Sequence, residues 1–561
     1  MEAVMSRTIS LFMSLFAIVA AANAQVRVTG TLIGQDGKPM PAANVFLTLP
    51  TDNIMLKTVT PAPDGNYSMT IDSAGIWLLR FAGVNHYIHD VAVYIDSAEI
   101  ARGISKPVTI DVRLKGYTYL DTLNDVKVVG DFNKFSFTTA IPMKKMADGT
   151  YAVEIETKAD SMAYQLVNLE STGRSINGTD AVRYVYDGGG DYKSIVVPKD
   201  GMADIIFDPS KLDRTSKEAV VTFGNSKSVT ARFAQVYDEM QKNQVAFSDA
   251  LVKYRASGKD MKDFKHDLSG KLQSLKNRIE KEKVPILRQE LMLAYFFVGS
   301  MSVNKQAILD STIKVEALGE ISPASVIWSL NPIMVIEVVQ YMSDLPQADK
   351  DAYIRKLLDE NPSAITKSTV LYVKFMNAKM MNDNAKSTRY YNLLTTEYPG
   401  TMYGKMVKER FPAVSNLAVG KPVQAFSVVS MADSTKVITN ETLKGKYYIM
   451  DFWATWCGPC VAEMPNLDKA YKEFKDKNFT ILSLLLDTSP ADVIAFRKDK
   501  WPMPWLHTFI GRGSKSKILK DFEVAFIPKP FLIDPTGKII AMGDDLRGDK
   551  LEKTLEKDLG K

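Results

Sequence analysis

The chain contains only two cysteines, Cys457 and Cys460, separated by two residues. Each domain must therefore be held by a packed apolar core. A disulfide-stapled scaffold is excluded, and so is an all-cysteine zinc or iron–sulfur site. With 561 residues and about 150 residues per domain, three to four such cores are expected. A hydrophobic content of 46% can supply them and rules out a mostly disordered chain. The net charge of +5 is too small and too evenly spread for a nucleic-acid binder. The four histidines, His86, His89, His266 and His507, are scattered. His86 and His89 are close together but lack a partnering Cys/His pair. No metal and no cofactor is expected.

Residues 1–24 read as a targeting segment. Arg7 precedes an apolar run from Ile9 to Ala22, and Ala22-Asn23-Ala24 is a small-x-small cleavage pattern. The run is too short for a bilayer-spanning helix. No cysteine follows it to carry a lipid. The expectation is an exported, periplasmic protein, soluble after cleavage. Exported chains usually keep cysteines as structural staples. A pair this close cannot staple a large domain, so its role is expected to be chemical.

Composition along the chain predicts a multidomain protein. Residues 25–115 alternate in the manner of strands, with turns at Gln35–Pro39 and Asp64–Ser68. They resemble the carboxypeptidase-regulatory-like β-sandwich of exported bacterial proteins. Residues 116–212 carry G-D-F-N-K-F, then G-x-Y-x-V and Y-Q-L-V. That order resembles the early-set β-sandwich of family-48 carbohydrate-binding modules. Sugar binding needs exposed flat aromatic faces. Here Phe135 stands where that family tends to place Trp, and the segment has no Trp, so a structural sandwich is the expected reading. From 213 to 412 helical spacing takes over, as in Phe233, Val236, Tyr237 and Met240. Leu357-Leu358-x-Glu360-Asn361-Pro362 returns as Leu393-Leu394-x-x-Glu397-Tyr398-Pro399, a repeat-like spacing of 37 residues. A central all-α domain is expected there.

From Leu417 the pattern turns βαβ. A buried strand, Tyr447–Trp453, runs into Ala454-Thr455-Trp456-Cys457-Gly458-Pro459-Cys460 and a helix. Further strands are read at Phe479–Asp487, Pro530–Asp534 and Lys538–Ala541. A strand-to-helix junction places the first sulfur at a helix start. Unpaired amides and the helix dipole there stabilise a thiolate. Cys457 is then the attacking nucleophile, and Cys460, one turn on, the resolving thiol. Gly458 and Pro459 permit the tight junction. Asp451, in an apolar strand, should be desolvated and its pKa raised. Glu463 follows Cys460 by three and shares its helix face.

D-F-W-A-T-W-C-G-P-C resembles thioredoxin. The whole of 417–561 resembles the secreted TlpA/ResA-like (redoxin) branch, through the K-G-K lead-in, W-C-G-P-C-x-x-E-x-P and I-P-x-x-F-L-I-D-x-x-G-K-I. The resemblance implies an α/β thioredoxin fold with a Cys457–Cys460 redox disulfide. It implies that Asp451 helps deprotonate the resolving cysteine, that Glu463 tunes thiol acidity and that Pro528 is the cis-proline facing the C-x-x-C. A cis bond there would bar metal from the thiols and present the Ile527 backbone to a client strand. Trp456, Gly458, Pro459 and Ile527 are then the substrate-binding set. Trp453 and Trp456 are expected at an apolar rim. Trp501 and Trp505 could extend that lip or pack the core. Lys529-Pro530 departs from the usual Thr-Thr, which puts the local strand geometry in question.

These residues point to an exported protein thiol-disulfide oxidoreductase, a reductant or isomerase of client disulfides. A membrane thiol-transfer reductase is the implied electron donor. Two other readings stay open. One is an adaptor or glycan-binding protein carrying a thioredoxin-like module. The other is a peroxiredoxin-like peroxidase, although that chemistry wants Thr-x-x-Cys and a nearby Arg.

Overall fold

The computed structural model describes residues 25–51, 54–98, 107–215, 217–257, 259, 263–302, 309–381, 383–411, 415, 417–499, 501–511 and 516–560. The expected targeting segment, 1–24, lies outside the described residues. The chain divides into two compact units, Met1–Ser363 and Ala364–Lys561. The division falls inside the stretch read as one helical domain. Helices Ala364–Met380, Asn384–Thr396 and Met402–Arg410 belong to the second unit. No helix among the described residues is long and apolar enough to cross a membrane.

The first unit opens with two four-stranded sheets. One runs in the order Val220–Phe223, Val108–Arg113, Val26–Ile33, Asn66–Ile71; the other runs Met55–Val59, Ala43–Thr48, Gly75–Gly83, His89–Ile95. Alternation drives the burial: Val26 and Val28 are buried while Arg27 between them is exposed. Val28, Ile71 and Val112 of one sheet share a core with Val45, Phe81 and Val93 of the other. Val220–Phe223 falls in the stretch expected to be helical. It is instead a strand, antiparallel to Val108–Arg113, because Val-Val-Thr-Phe is a β-branched and aromatic run that fits a pleated surface. His86 spends both ring nitrogens in this unit. Nδ1 lies 2.7 Å from the Val84 carbonyl, and Nε2 accepts from the Gln35 N–H at 3.1 Å.

A five-stranded and a three-stranded sheet follow, built from Lys127 to Phe207. Val128 and Leu166 of the first share a core with Ile155, Ile205 and Phe207 of the second. The Lys193 ammonium stands 4.2 Å from the Phe135 ring centroid. The aromatic that sugar binding would use is thus already engaged by a cation. Helices then dominate, beginning with Val229–Ala256, whose Ala234 joins the first core. Pro285 occupies the first turn of helix Pro285–Ser300, where its missing N–H breaks no helical bond.

The second unit is built on a five-stranded sheet. Its order is Leu506–Phe509, Phe479–Leu485, Tyr447–Trp453, Lys529–Ile533, Ile539–Met542. The first three strands are parallel, and the last two run antiparallel. Tyr447–Trp453 is the central strand, buried on both faces after its first residue, which explains its near-continuous apolar run. One face packs on helices Gly458–Phe474 and Asp549–Leu559 through Met464, Leu467, Leu551 and Leu555. The other face packs on Leu417, Phe426 and Phe522. Pro530 interrupts neither strand nor register: pairing runs without a break from Tyr448 opposite Ile533 to Phe452 opposite Lys529.

Candidate active site

The central strand delivers the acid and the sulfurs to one side of the sheet. Successive side chains alternate between faces. Ile449 and Trp453 belong to the core that contains both cysteines, whereas Tyr448, Met450 and Phe452 belong to the opposite core. Asp451 therefore faces the cysteine side. Trp453 does too, and it is fully buried, with its ring centroid 5.6 Å from that of Phe496. The expected place of Trp453 at the rim is corrected: strand parity sends it under the helix. Trp456, beyond the strand end, is 51% exposed. Trp505 is buried and donates its indole N–H to Ser483 Oγ at 2.9 Å, so it is a core residue. Trp501 packs, partly buried, against the same core.

Cys457 caps helix Gly458–Phe474, with Pro459 in the first turn. Its Sγ accepts the Cys460 backbone N–H at 3.2 Å. A helix-start amide thus points at this sulfur, the environment that favours a thiolate once the bond is reduced. Cys457 and Cys460 form a disulfide, with Cα atoms 5.2 Å apart. Cys460 is 1% exposed and Cys457 only 6%, so the first sulfur is more covered than its role as nucleophile suggests. Gly458 and Pro459 beside it are exposed.

The Ile527–Pro528 peptide bond is cis. The Ile527 carbonyl oxygen lies 3.7 Å from Cys457 Sγ, so this loop borders the disulfide. Ile527 is partly buried and Pro528 buried.

Asp451 is 3% exposed. Burial pushes its pKa up to about 7; the charge of Arg547 pulls it down and that of Glu463 pushes it further up. Glu463 is partly buried and held from two sides. It accepts from Asn466 Nδ2 at 2.8 Å and from the Gly548 N–H at 2.9 Å. Gly548 has φ +51°, a left-handed conformation that glycine adopts without strain.

The sequence reading missed three contributors. Asp487 accepts from Thr455, from the N–H at 3.1 Å and the hydroxyl at 2.5 Å, and so anchors the loop before Cys457 to the neighbouring strand. Arg547 donates to the Pro528 carbonyl. Lys379, from helix Ala364–Met380, pairs with Glu523, and Lys529 donates to the Glu523 carbonyl at 2.6 Å. Burial lowers the Lys529 pKa to about 7; Glu523 opposes that shift and Lys379 adds to it. The Arg547-Gly548 pair directly before an amphipathic terminal helix was the available signal for the second of these. Asp487 and Lys379 carry none.

Comparison with known proteins adds the class. Residues 419–542 match the AhpC/TSA family model. Over 154 residues the chain is 32% identical to the thiol-disulfide oxidoreductase ResA of Bacillus thuringiensis subsp. konkukian, covering 27% of this chain and 82% of that protein. It is 31% identical over 105 residues to ResA of Bacillus subtilis, covering 19% of this chain and 56% of that one. Among solved structures, the thioredoxin domain of a thiol-disulfide oxidoreductase from Bacteroides vulgatus is 33% identical, with a TM-score of 0.23, and the match covers 26% of this chain and 99% of that domain. With a disulfide at a helix start, a buried acid in the adjoining strand and 82% of the Bacillus thuringiensis protein matched at 32% identity, the chain belongs, through its C-terminal region, to the ResA family of thiol-disulfide oxidoreductases.

Proposed function

We propose that the protein is an exported reductant or isomerase of disulfides in client proteins, working through the Cys457/Cys460 dithiol. In the reducing direction the Cys457 thiolate attacks a client disulfide sulfur. A Cys457–client disulfide forms, and one client thiolate leaves. Cys460 gives its proton to Asp451 and attacks the Cys457 sulfur. The Cys457–Cys460 disulfide forms, and the second client thiolate departs. Two electrons pass to the client. A dithiol donor, for which a membrane thiol-transfer reductase is the fitting class, must restore the reduced form. The observation that carries this reading is the Cys457 sulfur at the helix start, accepting the Cys460 amide and bordered by the Ile527 carbonyl. Trp456, Gly458, Pro459 and Ile527 form the client-facing edge, with Glu463 tuning thiol acidity. The sheets of 25–115 and 116–212 are read as structural sandwiches, the first completed by Val220–Phe223, and the rest of 213–412 as helical packing, with 417–561 the catalytic domain.

The AhpC/TSA match favours a second reading, a peroxidase. Against it, Ala454 stands where Thr-x-x-Cys would place its threonine. Insulin-disulfide reduction by the full chain, with and without Cys457→Ser, decides between them. Loss of insulin reduction in the variant supports the proposal. Peroxide turnover with no insulin reduction supports the alternative.

A further inference from the structure

Arg547 stands where three parts of the site converge. It follows the turn Gly543–Leu546 and precedes Gly548 and the helix Asp549–Leu559. One arm of its guanidinium, Nη2, donates to the Pro528 carbonyl. The other arm, Nη1, lies 3.5 Å from Asp544 Oδ1, a loose and partly exposed ion pair. Nε is buried and has no hydrogen-bond partner among the described residues. The next residue, Gly548, donates its N–H to Glu463. A single dipeptide thus fastens the loop beside Cys457 and the carboxylate one turn beyond Cys460.

Arg547 is also the positive charge that acts on Asp451. From the helix Gly458–Phe474 and its cap come Glu463, which opposes ionisation, and Cys460 and Cys457, which titrate only once their disulfide is reduced. On the neighbouring strands, Asp451 is paired with Ser483 on one side and Pro530 on the other, and neither titrates. Lys529 is paired with Phe452 and so lies on the opposite face. Arg547 is the one cation among these groups.

We propose that Arg547 is a positioning residue for thiol-disulfide exchange, holding the Pro528 carbonyl, and with it the client-facing Ile527 edge, while its charge acts on the buried acid Asp451. The inference rests on the reading of Asp451 as proton acceptor and of Ile527 as client edge. Its chemistry follows from the guanidinium. A rigid, planar guanidinium holds the N–H that meets the carbonyl in a fixed direction and keeps its charge at any working pH. A lysine would keep the charge and lose that rigidity. A glutamine would lose the charge.

Three full-chain variants separate these contributions. Initial rates of insulin reduction are measured across pH, with client KM and kcat resolved at each point. The wild type is expected to show an inflection near pH 7 that Asp451→Asn removes. Arg547→Gln should shift that inflection upward, by about one pH unit, since removing an opposite charge that favours the ionised carboxyl raises its pKa. Arg547→Lys should leave the inflection in place while raising KM severalfold, because the Pro528 carbonyl loses its anchor. If Asp451→Asn leaves the inflection intact, the reading of Asp451 fails and this inference falls with it. If Asp451→Asn removes the inflection but Arg547→Gln does not move it, Arg547 alone is misassigned. Should Arg547→Gln not fold, Arg547→Lys decides: an unchanged KM overturns the proposal.

Discussion

Replacing Asp451 with asparagine should make the oxidised protein more stable at alkaline pH. The carboxyl is 3% exposed and its pKa stands at about 7 against an ordinary 3.8. That difference is roughly three units, and each unit corresponds to about 1.4 kcal/mol between the two protonation states. Because the side chain is buried, solvent screening removes little of this. The sign follows from which state ionises first. Well below pH 3.8 the acid is protonated in both folded and unfolded chains, and stability is undiminished. As pH rises from about 4 towards 7, the unfolded chain releases its proton while the folded chain still holds it, so stability falls. Above 7 the loss is complete, at about 4 kcal/mol. Asparagine has nearly the same shape and no proton to lose, so the variant escapes this decline. Urea unfolding of the oxidised full chain at pH 4, 6 and 8 tests it. Four of the six tryptophans (Trp453, Trp456, Trp501 and Trp505) lie in 417–561, so fluorescence reports mainly on that region. The expected result is coincident midpoints at pH 4 and a growing advantage for Asp451→Asn at pH 6 and 8. Parallel profiles for the two proteins would refute the buried, protonated acid. The same substitution should slow release of the reduced client by about 10²-fold or more, the usual contribution of a positioned proton acceptor.

Alkylation of the reduced protein near neutral pH should modify Cys457 before Cys460, and mass spectrometry of the labelled peptide reads the order; labelling of Cys460 first would reverse the assigned roles. Equilibration of the full chain with glutathione buffers should give a potential near the −270 mV of thioredoxin rather than about −120 mV. The 150 mV gap corresponds to about 7 kcal/mol for two electrons, and a value at the oxidising end would make the protein a disulfide donor. Lys379→Met should destabilise the second unit by about 3 kcal/mol, because it strands Glu523, whose side chain is 3% exposed. Adding Glu523→Gln should restore most of that loss in thermal unfolding; no recovery would place the effect in packing rather than charge.

Local signals carried the chemistry. The run Tyr447–Trp453 had to be a two-sided buried strand because it is apolar over a strand's length. Cys457-Gly458-Pro459-Cys460 opens a helix because glycine permits the tight junction and proline suits a first turn. Within that frame the raised pKa of Asp451 was legible, since an acid in such a strand meets little water. Parity was legible too. Trp453 lies two residues from Asp451 and so shares its face, which places it in the core rather than at the rim.

Contacts between distant positions were decided by the tertiary structure. Arg547 reaches Pro528 across 19 residues, and Gly548 reaches Glu463 across 85. Lys379 meets Glu523 across 144. Arg547, Glu463, Lys379 and Glu523, read alone, are ordinary charged residues, and solvated and buried charges look alike in a sequence. Val220–Phe223 is the same case in the backbone: its β-branched residues permit a strand, but a strand needs a partner, and Val108–Arg113 lies more than 100 residues earlier. The sequence by itself determined where a thiolate could be made and where an acid would be desolvated, because helix-start amides and an apolar strand act over a few residues. Which charges surround that acid, and what holds the loop beside the sulfur, depended on the fold, because electrostatic interactions and hydrogen bonds depend on distance in space rather than along the chain.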